Sequence, residues 1–277
     1  MAERTPWIDA WFVRLARDLY RPPLTQQRLR FEIEGMVRLL ELPPRASVLV
    51  LASGVGTLAI ELAARGYEVT GLEPSEALLE TARKEAQSRG VLMRWVRRDV
   101  RRIPFRSAFD LVYAGSPVLG VEGQRADDLE LLRSVWQALK PGGTLLLDLP
   151  NREAVARHFV ERTWAELDGA RVLESQRWDL LSDVLQIEWR VLLPGGREMA
   201  STLRLRPYAA HEVLGLLQEA GFGAVEAWGD YDARAYSLWT PRFLVRGQRP
   251  GLAPGEAVAV GGEAGQPEVS PSSTSTG

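Results

Sequence analysis

Apolar residues recur along this chain with two different spacings, and the change from one to the other outlines the architecture. Near the start, Trp11, Phe12, Leu15 and Leu19 repeat at helical spacing, as do Phe31, Met36, Val37, Leu39 and Leu40. Pro22-Pro23 separates the two predicted helices and Pro43-Pro44 ends the second. Ser47–Leu51 is then a short unbroken apolar run, the signature of a strand buried on both faces of a parallel sheet. From there strands and helices alternate. Strands are predicted over Tyr67–Leu72, Val91–Val96, Phe109–Ala114 and Thr144–Leu149, with Pro141-Gly142-Gly143 as the turn into the last. Helices are predicted from Gly56 to Arg65 with Gly66 as C-cap, after the N-cap Ser75, and over Asp127–Leu139. This alternation predicts an α/β fold, a doubly wound and mostly parallel seven-stranded sheet with helices on both faces.

After Arg152 the pattern changes. A helix over Glu153–Glu161 is expected, then three antiparallel strands, Arg171–Trp178, Val184–Leu193 and Glu198–Leu205, turning at Ser182-Asp183 and Pro194-Gly195-Gly196. A helix over Ala210–Ala220 should stop at Gly221, and strands near Val225–Trp228 and Trp239–Val245 should close the sheet. The expected organisation is an N-terminal helical cap over residues 1–45, a main domain over 46–247 with a β insertion at about 165–207, and a Pro/Gly/Ser-rich disordered tail over 248–277.

The segment Val48-Leu-Val-Leu-Ala-Ser-Gly-Val-Gly-Thr57 delivers a glycine-rich turn to a helix N-terminus. Glycines there permit a sharp turn and let a ligand reach main-chain amides. The spacing Gly54-x-Gly56-x-x-Ala59 also fits a dinucleotide fingerprint, which leaves an NAD-dependent oxidoreductase open. Glu73 ends the second strand, so a parallel sheet brings it beside this turn, where a carboxylate can accept from both hydroxyls of a ribose. Asp99 follows the third strand, placed to accept from an exocyclic adenine amine while the next amide addresses the ring. Its neighbours Arg97, Arg98, Arg101 and Arg102 offer the competing reading of a surface ion pair.

Taken in order, VLVLASGVGTLAIELAARGYEVTGLEPS, RRDVRRIPF, FDLVYAGS and ALKPGGTLLLDLPN resemble the class I, Rossmann-like S-adenosylmethionine (SAM)-dependent methyltransferases over about residues 30–247. RLRPYAAHEVLGLLQEAGF is similar to that family's helix before strand six. The resemblance implies SAM as cofactor, held at Ala52, Ser53, Gly54, Gly56, Glu73, Pro74, Asp99, Val100 and near Ala114. It also exposes two departures: the family carries an acid where Val50 stands and a glycine where Ala52 stands. Loss of that acid removes a partner for the amino-acid end of SAM and opens a second reading, a SAM or S-adenosylhomocysteine binder without turnover.

The remaining composition narrows the chemistry. The chain has no cysteine and only two histidines, His158 and His211, so thiolate chemistry and thiolate metal sites are excluded and no metal is expected. A formal net charge of −2 lacks the basic excess that phosphate backbones demand, which favours a small-molecule methyl acceptor over a nucleic acid. The N-terminus lacks a secretory pattern and no apolar run approaches about 20 residues, so a cytoplasmic protein is expected. Candidate acceptor contacts are Trp11 and Tyr20 on the first helix, Ser116 after the fourth strand, and Arg206 and Tyr208 beside the insertion. For the tryptophans, including Trp178 and Trp189, ordinary packing is the competing reading.

Overall fold

The computed structural model describes residues 26–115, 118–121, 124–167 and 169–251, and Trp11, Tyr20 and Ser116 lie outside them. Two sheets organise the chain. The larger is seven-stranded, formed by β1 (Ser47–Leu51), β2 (Glu68–Leu72), β3 (Arg94–Val96), β4 (Phe109–Gly115), β5 (Leu139–Pro150), β10 (Gly223–Trp228) and β11 (Arg242–Gln248). Its order is β10-β11-β5-β4-β1-β2-β3; β1 to β5 run parallel, and β11 pairs antiparallel with both β5 and β10. Strand order reverses between β1 and β4, which makes their carboxyl ends the switch point where open α/β sheets bind ligands.

Burial follows the sequence pattern. Val48 to Leu51 are all buried in β1, as are Leu111 to Ala114 in β4 and Leu145 to Leu149 in β5. Leu49, Leu51, Val112, Ala114, Leu145 and Leu147 pack on the face covered by α4 (Arg125–Ala138) and α6 (Ala210–Glu219). Val48, Val50, Leu111, Tyr113 and Leu146 pack on the opposite face against α1 (Gln26–Leu39) and α2 (Thr57–Ala64). Between β2 and β3 runs α3 (Glu76–Ser88), whose first turn is capped by Ser75 Oγ accepting from the Leu78 amide at 3.4 Å.

Three details differ from the sequence reading. Pro141-Gly142-Gly143 lies inside β5 rather than before it: Phe109 pairs with Leu139 but Leu111 with Thr144, so the turn is absorbed as a bulge. The helix after β5, α5 (Arg152–Arg157), ends four residues early, and Arg162–Leu167 forms an additional strand, β6. The insertion is therefore a four-stranded antiparallel meander, β6-β7-β8-β9, with β7 (Ala170–Asp179), β8 (Val184–Leu192) and β9 (Glu198–Leu205) as expected. Finally, β11 continues to Gln248, and Arg249 exchanges main-chain bonds with Gly142 and Gly143 at 2.9 and 2.8 Å, so the sheet extends past the expected boundary at 247.

Candidate functional site at the carboxyl edge of β1 and β2

The turn after β1 is closed by its own main chain. The Ser53 amide donates to the Leu72 carbonyl at 3.1 Å, and the Gly56 amide to the Ser53 carbonyl at 2.9 Å. Three residues here have left-handed backbones: Ala52 at φ 46°, Gly54 at φ 58° and Gly56 at φ 81°. Glycine at 56 is required twice over, because a Cβ would also come 2.6 Å from the Trp95 ring. Trp95 pairs across the sheet with Gly71, where a Cβ would again meet its ring at 2.6 Å, so this indole packs against both glycines. Sequence reasoning missed Trp95; the signal was a glycine in β2 set opposite a tryptophan in β3.

Glu73, 5% exposed, stands directly beside the turn. Its Oε2 accepts from the Gly54 amide at 3.0 Å and its Oε1 from the Ser75 amide at 3.0 Å. Burial pushes the Glu73 carboxyl up from its ordinary range, and the two amides oppose that shift by favouring the charged form. A carboxylate has about four acceptor positions, so each oxygen retains capacity for a further donor. Ser53 Oγ is buried without a hydrogen-bond partner beside this carboxylate strand. Open acceptors, an orphan hydroxyl and a turn with main chain bared at Gly54 and Gly56 are what an adenosine with its ribose diol demands, so the residues present fit that group.

The other predicted cofactor residues are arrayed along the same edge. Pro74 is exposed just beyond Glu73, and its carbonyl accepts from Arg97 Nε at 3.4 Å. Asp99 follows β3 with a carboxylate taken by Arg101, whose amide, Nε and Nη2 donate at 3.0, 3.0 and 2.7 Å. That side-chain pairing holds the Asp99 carboxyl below its usual range, and with its side chain 43% exposed the pair is solvated. Val100 packs at the border of the main core, and Ala114 is buried in β4 opposite Leu51.

The acceptor-side candidates in the described residues are engaged within the protein. Tyr208 is only 7% exposed and donates to Asp128 Oδ2 at 2.8 Å. Arg206 Nη2 donates to Glu212 at 2.7 Å, and its guanidinium lies 5.1 Å from the Tyr208 ring centroid. These contacts fasten the segment after β4: both Asp128 oxygens accept the Gly120 amide at 3.0 Å, and the Arg206 amide donates to the Gly120 carbonyl at 2.8 Å. Gly120 has φ 77°, and a Cβ there would strike the Arg206 carbonyl at 2.1 Å. Val121 forms a bridge to Leu205, so β9 is held against the loop at the end of β4. Trp189 and Trp178 belong to the insertion itself; the Trp189 Nε1 donates to Glu174 at 2.7 Å and the Trp178 Nε1 to Asp183 at 3.0 Å.

Among the described residues no group of His, Asp or Glu is arranged to hold a metal ion, and no helix is long and apolar enough to cross a membrane.

Residues 48–143 match the family model for a methyltransferase domain. YqeM of Bacillus subtilis (strain 168) is 34% identical over 128 residues, 46% of this chain and 51% of that protein. The chain thus spans about half the length of that relative. Trans-aconitate 2-methyltransferase of Delftia acidovorans is 28% identical over 200 residues, 70% of this chain and 68% of that one. Among solved structures, an S-adenosylmethionine-dependent methyltransferase from Clostridium acetobutylicum superposes with a TM-score of 0.76 at 17% identity, covering 87% of this chain and 98% of the other. The glycine turn and its neighbouring carboxylate thus lie within a stretch that matches a methyltransferase domain, and the reversed strand order belongs to a fold shared with a solved S-adenosylmethionine-dependent methyltransferase.

Proposed function

We propose that this chain transfers a methyl group from SAM to a small molecule by in-line displacement. The observation that carries the reading is the buried Glu73 carboxylate bonded to the Gly54 amide, with acceptor capacity left for a ribose diol. In this reading Ala52, Ser53, Gly54 and Gly56 present main chain to the cofactor, and Glu73 and Pro74 border its ribose. Asp99 exchanges its Arg101 contact for the adenine amine, with Val100 and Ala114 bordering the ring and the reacting end. When bound, SAM supplies an electrophilic methyl carbon on a sulfonium. The chain's own task is then to align an acceptor and exclude water, which calls for positioning rather than an acid/base dyad.

A small acceptor is supported by the insertion, a compact meander fastened to the loop after β4 through Val121, Gly120 and Arg206. The name of the Delftia relative, which specifies a small carboxylic acid, points the same way, as does the absence of a basic excess. Trp11, Tyr20, Ser116, Arg206 and Tyr208 are the proposed acceptor-side residues, and the cytoplasm is the proposed compartment.

Calorimetric titration with SAM, S-adenosylhomocysteine and NAD, followed by a methyl-acceptor panel, tests this. SAM and S-adenosylhomocysteine should bind and NAD should not. NAD binding without SAM binding would reject the proposal; SAM binding with no turnover on any acceptor would favour the binder reading.

A further inference from the structure

The insertion has two faces, and the described residues cover only one of them. Val172, Ile187, Trp189 and Val191 pack on the inner face with Val155 of α5 and Phe159 just after it. The outer face carries Trp164, Leu173 and Leu192 at 66%, 43% and 37% exposure. Strand register arranges its side chains in rows. Trp164 on β6 stands opposite Leu173 on β7, and Leu173 opposite Arg190 on β8. Two residues back along β6, Arg162 shares a row with Ser175 and Glu188; two residues on, Glu166 shares a row with Arg171. A hollow of about 240 Å³ opens here, with Trp164, Leu173 and Arg190 among its lining, and has room for an aromatic side chain.

These rows have the symmetry of one half of an isologous contact. At alternate positions β6 presents a cation, an indole and an anion: Arg162, Trp164 and Glu166. A two-fold axis lying in the interface, across the strands and through the Trp164 row, turns one copy end for end against the other. Arg162 then meets Glu166 of the second copy, and does so twice. The two indoles and the two Leu173 side chains meet at the axis, and Arg171 comes opposite Ser175 with Glu188 beside it. Arg162 is exposed and makes no ion pair among the described residues, so its charge is uncommitted. Glu166 is held by Arg171 at 3.1 Å with both side chains largely exposed, which leaves it open to a second cation. Arg190, which its own copy would approach near the axis, is paired within its chain with Glu198 at 3.9 Å. A nucleic acid would demand an unbroken basic face, and Glu166, Glu188 and Glu198 interrupt this one.

We infer that the outer face of the insertion is a homodimer interface, with a second copy of this chain as its occupant. Its size suits that role. Four strands about 4.8 Å apart, with roughly eight residues each at about 3.4 Å, make a face of on the order of 500 Å² before side-chain relief is added. A standard interface buries about 800 Å² per partner. The insertion then packs on its own chain with one face and on its copy with the other.

Sedimentation velocity of the full chain over a concentration series tests this, and should show a dimer. Trp164→Ala should raise the dissociation constant by about thirtyfold or more, because each indole is used twice, and should leave the stability of the dilute monomer unchanged. Leu173→Glu, on an inner strand, should leave only monomer, whereas edge-to-edge pairing through β6 would tolerate it. Arg162→Glu should weaken the dimer by about tenfold or more, and adding Glu166→Arg to it should restore affinity to within about threefold of wild type. A chain that stays monomeric across the series overturns the inference. So does a dimer indifferent to Trp164→Ala and Leu173→Glu, or a charge exchange that restores nothing. If residues 1–25 of the same chain cover this face instead, the chain is a monomer that Leu173→Glu destabilises, which also overturns it. Should Leu173→Glu not fold, Trp164→Ala and the charge exchange decide.

Discussion

The two sheets of this molecule bury polar groups to different ends. In the antiparallel insertion, alternation places Ala170, Val172, Leu185, Ile187, Trp189 and Val191 on one packed face and leaves Trp164, Leu173 and Leu192 exposed on the other. Its buried polar group, Glu174, serves packing by receiving the Trp189 indole. In the parallel sheet both faces are covered, and buried carboxylates collect toward the carboxyl edge: Glu73 bonded to the glycine turn, Asp128 of α4 bonded to the loop after β4, Asp148 of β5 bonded to the Tyr113 hydroxyl. Burying a carboxylate is expensive unless donors surround it. The first sheet is organised for shape, whereas the second concentrates that cost where chemistry is needed.

If this contrast holds, damage to the insertion core should cost stability and spare the cofactor site. Trp189→Ala should destabilise the chain by about 3–5 kcal/mol, from lost volume and from the stranded Glu174 acceptor. Affinity for S-adenosylhomocysteine should stay within about twofold, the sites sharing no contacts. Trp164→Ala, on the open face at 66% exposure, should stay within about 0.5 kcal/mol. Denaturant melts and calorimetry measure both. A Trp189→Ala protein that loses cofactor affinity in proportion to its stability would merge the two regions into one unit.

Asp128 sharpens the comparison through pH. Burial raises its pKa from 3.8 to about 6, against the lowering pull of the Tyr208 hydroxyl and the Gly120 amide. The unfolded chain ionises this group near 3.8 and the folded chain near 6, so its favourable contribution is complete below about pH 4 and is lost as pH rises through 6. The span corresponds to about 3 kcal/mol. Relative to Asp128→Asn, the wild-type protein should therefore lose about that much stability between pH 4 and pH 7. A difference between the two proteins that does not change with pH would show that Asp128 is not penalised by its burial.

How much of this was legible in the sequence depends on how locally each feature is encoded. The runs Ser47–Leu51 and Phe109–Ala114 announce buried parallel strands because all their positions but Ser47 and Asp110 are apolar, and both lie where expected. Glu73 beside Gly54 follows from parallel topology alone, since adjacent strand tips must meet. Strand β6 was missed because Arg162–Leu167 is polar at half of its positions and follows a helical stretch whose early end at Arg157 no proline or glycine marks. The contacts by which Arg242 donates to the buried Asp148 and Glu32 carboxylates were invisible for a different reason: the partners lie 94 and 210 residues from it, and no local pattern records a partner at that range. Asp99 could be read either as a ligand or as an ion pair, and the pairing with Arg101 over two residues is as locally encoded as the ligand motif.

Returning to the parallel sheet, Glu73→Ala should weaken SAM binding by about 1.5–3 kcal/mol, roughly ten- to a hundredfold, through lost bonds to the ribose. It also strips the Gly54 and Ser75 amides of their acceptor, so the melting temperature should fall as well. Glu73→Gln separates the two effects, because it retains a carbonyl oxygen for one amide while removing the charge. An unchanged dissociation constant in Glu73→Ala would take this residue out of the site and leave the turn as packing.

The smallest expected effect tests whether the cofactor edge tolerates strain that the insertion does not need. Ala52 stands where the methyltransferases that the sequence resembles have glycine, and it adopts φ 46°, inside the left-handed region. For an L-residue that conformation costs about 1–2 kcal/mol against glycine, because Cβ crowds the following carbonyl oxygen. Glycine in turn gives up about 0.4–1 kcal/mol through the extra freedom of its unfolded chain. The balance predicts that Ala52→Gly stabilises the protein by roughly 0.5–1 kcal/mol, a gain that a denaturant midpoint shift can resolve. Asp183 at φ 53° offers the matching position in the insertion turn, where Asp tolerates the left-handed region better than Ala does. Asp183→Gly should therefore gain nothing from backbone relief and lose its bonds to Arg152 and Trp178. If Ala52→Gly instead destabilises the chain, the turn is not strained at that residue, and the departure from glycine carries no energetic penalty for cofactor binding to offset.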